Sequence, residues 1–235
     1  MRKSFTVAGV ATLAFGVAGI AYAQTPAPSI EATVGVSPGK SGTKSKPKNV
    51  TFKLGVKNDP ASRTTASKIT ITLPNTLKLS TKGLPVCKAD DDEIVSTNGA
   101  VCKKSDIGSG TANAVILSNN TNVAFKVTPL VANKEVLFFL TSAQIANKYV
   151  VHGKISGSKM TITIPPDVQQ PLSGLYAALI DINATLSMKK GKNYLFTSTG
   201  CKSKKHTVGV KVDYASNPTP PAAANASTTA DAKCS

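Results

Sequence analysis

Apolar and polar residues alternate along much of this chain. Ile30, Ala32, Val34 and Val36 share one parity, with Glu31 and Thr33 on the other; Val50, Phe52, Leu54 and Val56 repeat the pattern, as do Ile69, Ile71 and Leu73 within Lys68–Leu73. A period of two sends successive side chains to opposite faces, so each run predicts a half-buried strand. Thr111–Leu117 and Asn122–Thr128 flank Ser118–Thr121 and predict a hairpin; Tyr149–Ile155 and Lys159–Ile164 predict a second one across Ser156-Gly157-Ser158. Glu135–Thr141, E-V-L-F-F-L-T, is apolar without interruption, which predicts a central strand covered on both faces. Leu77 and Leu79 form a short extension, and Ile182–Met188 reads as a further strand. His206–Tyr214, with Val208, Val210 and Val212 on one face, reads as the last. Leu172–Ile180 fits either one or two helical turns or a loop and a strand.

Between these runs lie turn signals: Asn58-Asp59-Pro60, Pro74-Asn75, Pro165-Pro166 and Lys189–Asn193. Ser37–Lys48 holds Lys40, Lys44, Lys46 and Lys48 among Ser, Pro and Gly with nothing apolar, so it is expected as an exposed loop. About ten short strands and no long helix predict an all-β fold, an antiparallel β-sandwich of immunoglobulin-like or jelly-roll-like type. A membrane-embedded barrel alternates too, but it needs strands of ~9–11 residues and aromatic girdles, and the runs here are shorter. The expected organisation is a leader over 1–23, a linker over 24–29 and a β-sandwich over 30–214, as one unit or two subdomains. A Pro/Ala/Ser/Thr tail over 215–235 follows. Asn217–Lys233 shows no apolar period and is expected to be extended and mobile.

The leader carries Arg2 and Lys3, an apolar stretch from Thr6 to Ile20, and the small-x-small site Ala21-Tyr22-Ala23, which predicts cleavage before Gln24. The stretch is short and rich in Ala and Gly for a bilayer span, and no later segment is long and apolar enough to cross as a helix. The expected location is secreted, extracellular or at the cell surface. Export makes the four cysteines, Cys87, Cys102, Cys201 and Cys234, readable as two disulfides. Three pairings are open, and proximity favours Cys87–Cys102 with Cys201–Cys234. Zinc is disfavoured, because there is no C-x-x-C spacing and neither histidine stands at ligand spacing from a cysteine pair.

The chain of 235 residues has 28 Lys+Arg against 12 Asp+Glu, a net charge of +16. Outside the leader the only arginine is Arg63, there is no tryptophan, and aromatics make up 5%. Base and phosphate readers lean on arginine forks and stacking rings, so specific nucleic-acid binding is not expected. Lysine-rich loops at Lys40–Lys48 and at Lys202, Lys204 and Lys205 instead point to loose attraction to an anionic cell-wall polymer or polysaccharide. The competing reading is that dispersed lysines keep an exported β-protein soluble and guard its sheet edges.

Catalytic chemistry has little to work with. His152 and His206 have no nucleophile elbow or metal-ligand partner nearby in sequence. Asp90, Asp91, Asp92 and Glu93 form an acidic cluster that lacks the alternation of a calcium loop, and a solvated loop tip is expected. Gly108-Ser109-Gly110 lacks the third glycine and the helix of a nucleotide fingerprint; a positive-φ turn or a bulge is expected there. No cofactor is implied. Twelve scattered carboxylates leave a hydrolase as an alternative, and a carbohydrate-binding module is another. Ligand and oligomeric state are not legible.

Three landmarks carry a resemblance. Leu84-Pro85-Val86-Cys87 is followed by Cys102 and then by Ile107-Gly108-Ser109-Gly110-Thr111-Ala112; Leu195–Tyr214 reads L-F-T-S-T-G-C-K-S-K-K-H-T-V-G-V-K-V-D-Y; and Cys234 comes last. With the leader, these resemble a group of uncharacterised secreted β-sandwich proteins from actinobacteria. The resemblance spans about 30–234 and implies a secreted, disulfide-stapled sandwich paired Cys87–Cys102 and Cys201–Cys234. It departs at His206, where relatives often carry an aromatic, and it implies no active site.

Overall fold

The computed structural model describes residues 27–59, 62, 64–216 and 223–235. The expected leader, 1–23, and residues 24–26 of the expected linker lie outside the described residues. The strands are β1 (Ile30–Ser37), β2 (Lys48–Asn49), β3 (Thr51–Asn58), β4 (Ala66–Thr72), β5 (Leu77–Leu79), β6 (Gly108–Ile116), β7 (Asn122–Ala132) and β8 (Glu135–Thr141). They continue with β9 (Tyr149–Ser156), β10 (Lys159–Thr163), β11 (Ala177–Leu186), β12 (Lys189–Lys190), β13 (Asn193–Tyr194), β14 (Phe196–Ser198), β15 (Lys205–Tyr214) and β16 (Asn225–Lys233). Two short helices interrupt them: α1 (Asp91–Ser96), followed by a 3-10 segment at Ala100–Ser105, and α2 (Pro166–Gln169).

The all-β, antiparallel, disulfide-stapled class stands, and its two layers belong to one sheet. Eleven strands pair in the order β1-β3-β11-β6-β7-β8-β9-β10-β4-β15-β16. The end strands β1 and β16 lie against each other, which brings the sheet round into a barrel-like form. Alternation decides which side is inside. On β3, Phe52, Leu54 and Val56 are buried while Lys53 and Lys57 are exposed. That polarity, apolar inward and charged outward, is the reverse of a lipid-facing barrel. One core fills the interior, with Phe52 stacked on Phe196 at 4.8 Å between ring centroids. The small sheet β2-β14-β5 adds Leu77, Leu79 and Phe196 to that core.

Both expected hairpins form, β6–β7 and β9–β10. The ambiguous Leu172–Ile180 resolves into a loop that leads into β11. β8 is covered on both faces, as its unbroken apolar run implied. Val136, Phe138 and Leu140 enter the main core, while Leu137 and Phe139 face a second cluster with Ile94, Val150, Cys87 and Cys102. That second cluster is roofed by the stapled segment 87–105. Its ends are fastened to β7 by Cys87 N–H donating to the Val131 carbonyl and Ile107 N–H to that of Pro129.

Two expectations change. The acidic cluster is not a loose loop tip: Asp90 caps α1, its Oδ1 accepting from Glu93 N–H at 2.8 Å, and the other three acids form the first turn. Carboxylates there satisfy free amides and meet the positive end of the helix. The 215–235 segment is not a tail throughout, because Asn225–Lys233 pairs with Lys205–Asp213 of β15. At the start of β6, Gly108 has φ +150°, the positive value anticipated, and a Cβ there would collide with the Thr185 carbonyl of β11. The irregularity of the β6–β11 ladder falls on the partner strand instead, between Leu179 and Asp181.

Candidate functional site

Strand direction distributes the charge. In an antiparallel sheet every other connection lies at the same end. The β1–β3 connection carries Lys40, Lys44, Lys46 and Lys48; the segment around β5 carries Lys78 and Lys82; the β7–β8 turn carries Lys134. The β11–β15 connection, at the same end, carries Lys189, Lys190, Lys192, Lys202 and Lys204. All are exposed. The connections at the opposite end, β3–β4, β6–β7, β8–β9, β10–β11 and β15–β16, hold Lys148 as their one lysine among the described residues. The β4–β6 connection at the lysine-bearing end also holds Asp90, Asp91, Asp92, Glu93 and Asp106, which balance its own lysines, so the basic character of that end comes from the other connections.

Backbone bonds draw the two lysine-rich loops singled out in the sequence together. Ser235 N–H donates to the Gly39 carbonyl at 2.9 Å, Ser41 N–H to that of Ser235 at 2.7 Å, and Cys234 N–H to that of Lys204 at 3.0 Å. The Cys201–Cys234 disulfide, with 5.8 Å between Cα atoms, fixes the same corner, and Cys87–Cys102 staples the roof of the second cluster at 5.2 Å. Lys48 pairs with Ser198 on β14. Lys205 differs from its neighbours. It makes a 2.7 Å ion pair with Asp231, which also accepts from Thr207 at 2.6 Å. The hydrogen bonds from Lys205 and Thr207 hold Asp231 below the usual carboxylate range. Lys40, Lys44, Lys46, Lys48, Lys202 and Lys204 have no acidic partner among the described residues. Exposed Lys233 at the end of β16 joins the patch. Sequence reading missed it because β16 alternates only small residues, Ala226, Thr228, Ala230 and Ala232 inward, with little hydropathy contrast. The lysines of β5 and of the β12–β13 turn were missed for another reason: strand direction, which sets their end, is not written locally.

The histidines part ways. His206 is buried under the basic end, with Nδ1 2.8 Å from Thr76 Oγ1; burial lowers its pKa, so it stays neutral and adds no charge there. His152, on β9, bridges two carboxylates: Nδ1 lies 3.1 Å from Glu135 Oε2 on β8, and Nε2 lies 3.1 Å from Asp91 Oδ2 on α1. Partial burial pulls its pKa down, but the two carboxylates outweigh burial and hold it above the ordinary value. Both ring nitrogens are thus occupied, which makes His152 a clamp between α1 and the sheet rather than a poised base. A cleft of about 590 Å³ runs beside it, lined by Lys88, Asp90, Asp92 and Asn133 among others. Among the described residues no three His, Cys, Asp or Glu side chains converge to hold a metal ion, and no helix is long and apolar enough to cross a membrane.

No protein-family model matches the chain, and no curated protein does either.

Proposed function

We propose that this is an exported, non-enzymatic structural or adhesive protein of the cell envelope, which holds anionic wall polymer or polysaccharide against the basic end of its barrel. The observation that carries the reading is the charge asymmetry: exposed lysines crowd the connections at one end, and among the described residues Lys148 is the one lysine in those at the other. Ammonium groups on flexible stems act as point charges without the fork of arginine, so they suit a repetitive polyanion better than a shaped ligand. Two disulfides fit a compartment outside the cytosol. Binding of this kind weakens steeply with salt, because each neutralised charge releases a counterion. Co-sedimentation with isolated cell walls across a salt series tests the proposal. Retention at low salt and release as salt rises is the expected result; no retention at low salt removes the reading.

A further inference from the structure

We infer that the polyanion site is a composite, and that β16 is the clasp that builds it: Cys234 and Ser235 hold the Lys40–Lys48 loop in place beside Lys202 and Lys204. The inference rests on the proposed polyanion binding and adds which residues position the ligand contacts.

The Lys40–Lys48 loop has nothing apolar to bury, so no hydrophobic contact fixes it. Its anchors are polar and few. At its start, the Gly39 carbonyl and the Ser41 N–H both bond to Ser235. At its end, Lys48 and Asn49 pair with Ser198 and Thr197 of β14. The first anchor belongs to a residue 194 positions away, counting from Ser41 to Ser235. Ser235 is placed in turn by its neighbour Cys234, which is tied to Cys201 by the disulfide and to Lys204 by its N–H. One short piece of chain therefore touches both lysine-rich loops. Gly42 belongs to the same arrangement: the loop turns so tightly there that a Cβ would run into Lys48 N and the Ser198 carbonyl. A lysine loop held in one place gives up less freedom on meeting a polymer than a loose one does, and that difference appears as affinity.

The experiment uses the full chain and a fluorescent inorganic polyphosphate of defined length, with binding followed by anisotropy over a salt series. Three changes are compared: removal of Ser235 alone, Cys201→Ser with Cys234→Ser, and Lys40, Lys44, Lys46 and Lys48 all changed to Gln. Far-UV circular dichroism and thermal melts report on the barrel. Removal of Ser235 leaves the disulfide and every strand pair intact, so it keeps the test sound if the serine pair folds poorly. Either clasp change is expected to weaken binding about tenfold and to lower the slope of log K against log salt by roughly two to three, about the share of four lysines at ~0.7 each. The clasp and lysine changes should not add, because they remove the same contacts. Lys126→Gln, on an exposed position away from this end, should change little. If removal of Ser235 leaves affinity and slope unchanged in a protein that does bind, or if its effect adds fully to that of the four lysine changes, the clasp is wrong and the polyanion reading stands. If the unaltered protein fails to bind polyphosphate at low salt, both fall.

Discussion

Replacing His152 with Ala removes a polar side-chain link between α1 and the two strands beneath it. The imidazole joins Asp91 on α1 to Glu135 on β8, at 3.1 Å on each side. Side-chain exposures of 39% for His152 and 52% for Asp91 place that pair largely in water, whereas Glu135, at 24%, is better shielded. Exposed pairs contribute about 0.2–1 kcal/mol each, so the clamp stabilises by about 1 kcal/mol. For a chain of this size that corresponds to about 2–4 °C in Tm. The pH dependence has a definite sign. The His152 pKa is raised on folding, so the clamp is complete below the unfolded imidazole value of about 6.5 and is lost as pH rises through the higher folded value. Lys154 lies opposite Glu135 across the ladder, and Lys88 lines the adjoining cleft. Thermal melts of the native protein, His152→Ala and His152→Gln between pH 5.5 and 9 test this, with amide exchange over Asp91–Ser96 as the local readout. The native advantage over His152→Ala should be largest at pH 6 and should shrink by pH 9, with α1 amides exchanging faster in the variant. A Tm difference that does not change with pH, or α1 protection that does not change on substitution, refutes the clamp.

Three further outcomes follow from the packing. Tyr214→Phe leaves Asn58 Oδ1, which accepts from the phenol at 3.0 Å, without that donor inside the barrel, at a cost of about 1–3 kcal/mol by denaturant unfolding. In the native protein, burial and then the Asp59 charge push the Tyr214 pKa up to about 12, so its phenol should ionise later than an ordinary tyrosine in an ultraviolet titration. Stability should fall as pH rises from about 10 towards that value. Ile94→Ala empties a fully buried position between α1 and β8 and should cost about 2–4 kcal/mol, seen as a lower midpoint in denaturant with the disulfides intact. Gly108→Ala drives a Cβ into the Thr185 carbonyl at a positive φ and should cost about 3 kcal/mol, loosening β6 from β11.

Hydrophobic parity on its own determined where the chain is extended. Strands at Ile30, Thr51 and His206, both hairpins, and the two-sided covering of Glu135–Thr141 were legible because side-chain direction in a strand is a local property with a period of two. The exposure of Lys40–Lys48 was legible too, since nothing in that loop can enter a core. The Asp90-x-x-Glu93 spacing is a helix-capping signal, but a six-residue helix carries too little periodicity to stand out in the sequence. Tertiary structure alone decided the rest. Which loops share an end depends on strand order and direction, set by pairings between residues more than a hundred positions apart, such as Lys57 with Asp181 and Ile69 with Val212. Those pairings closed the sheet into a barrel-like form, turned the small alternating residues after Asn225 into a strand, gave His152 its two distant carboxylates, and gathered lysines spread over the sequence onto one end.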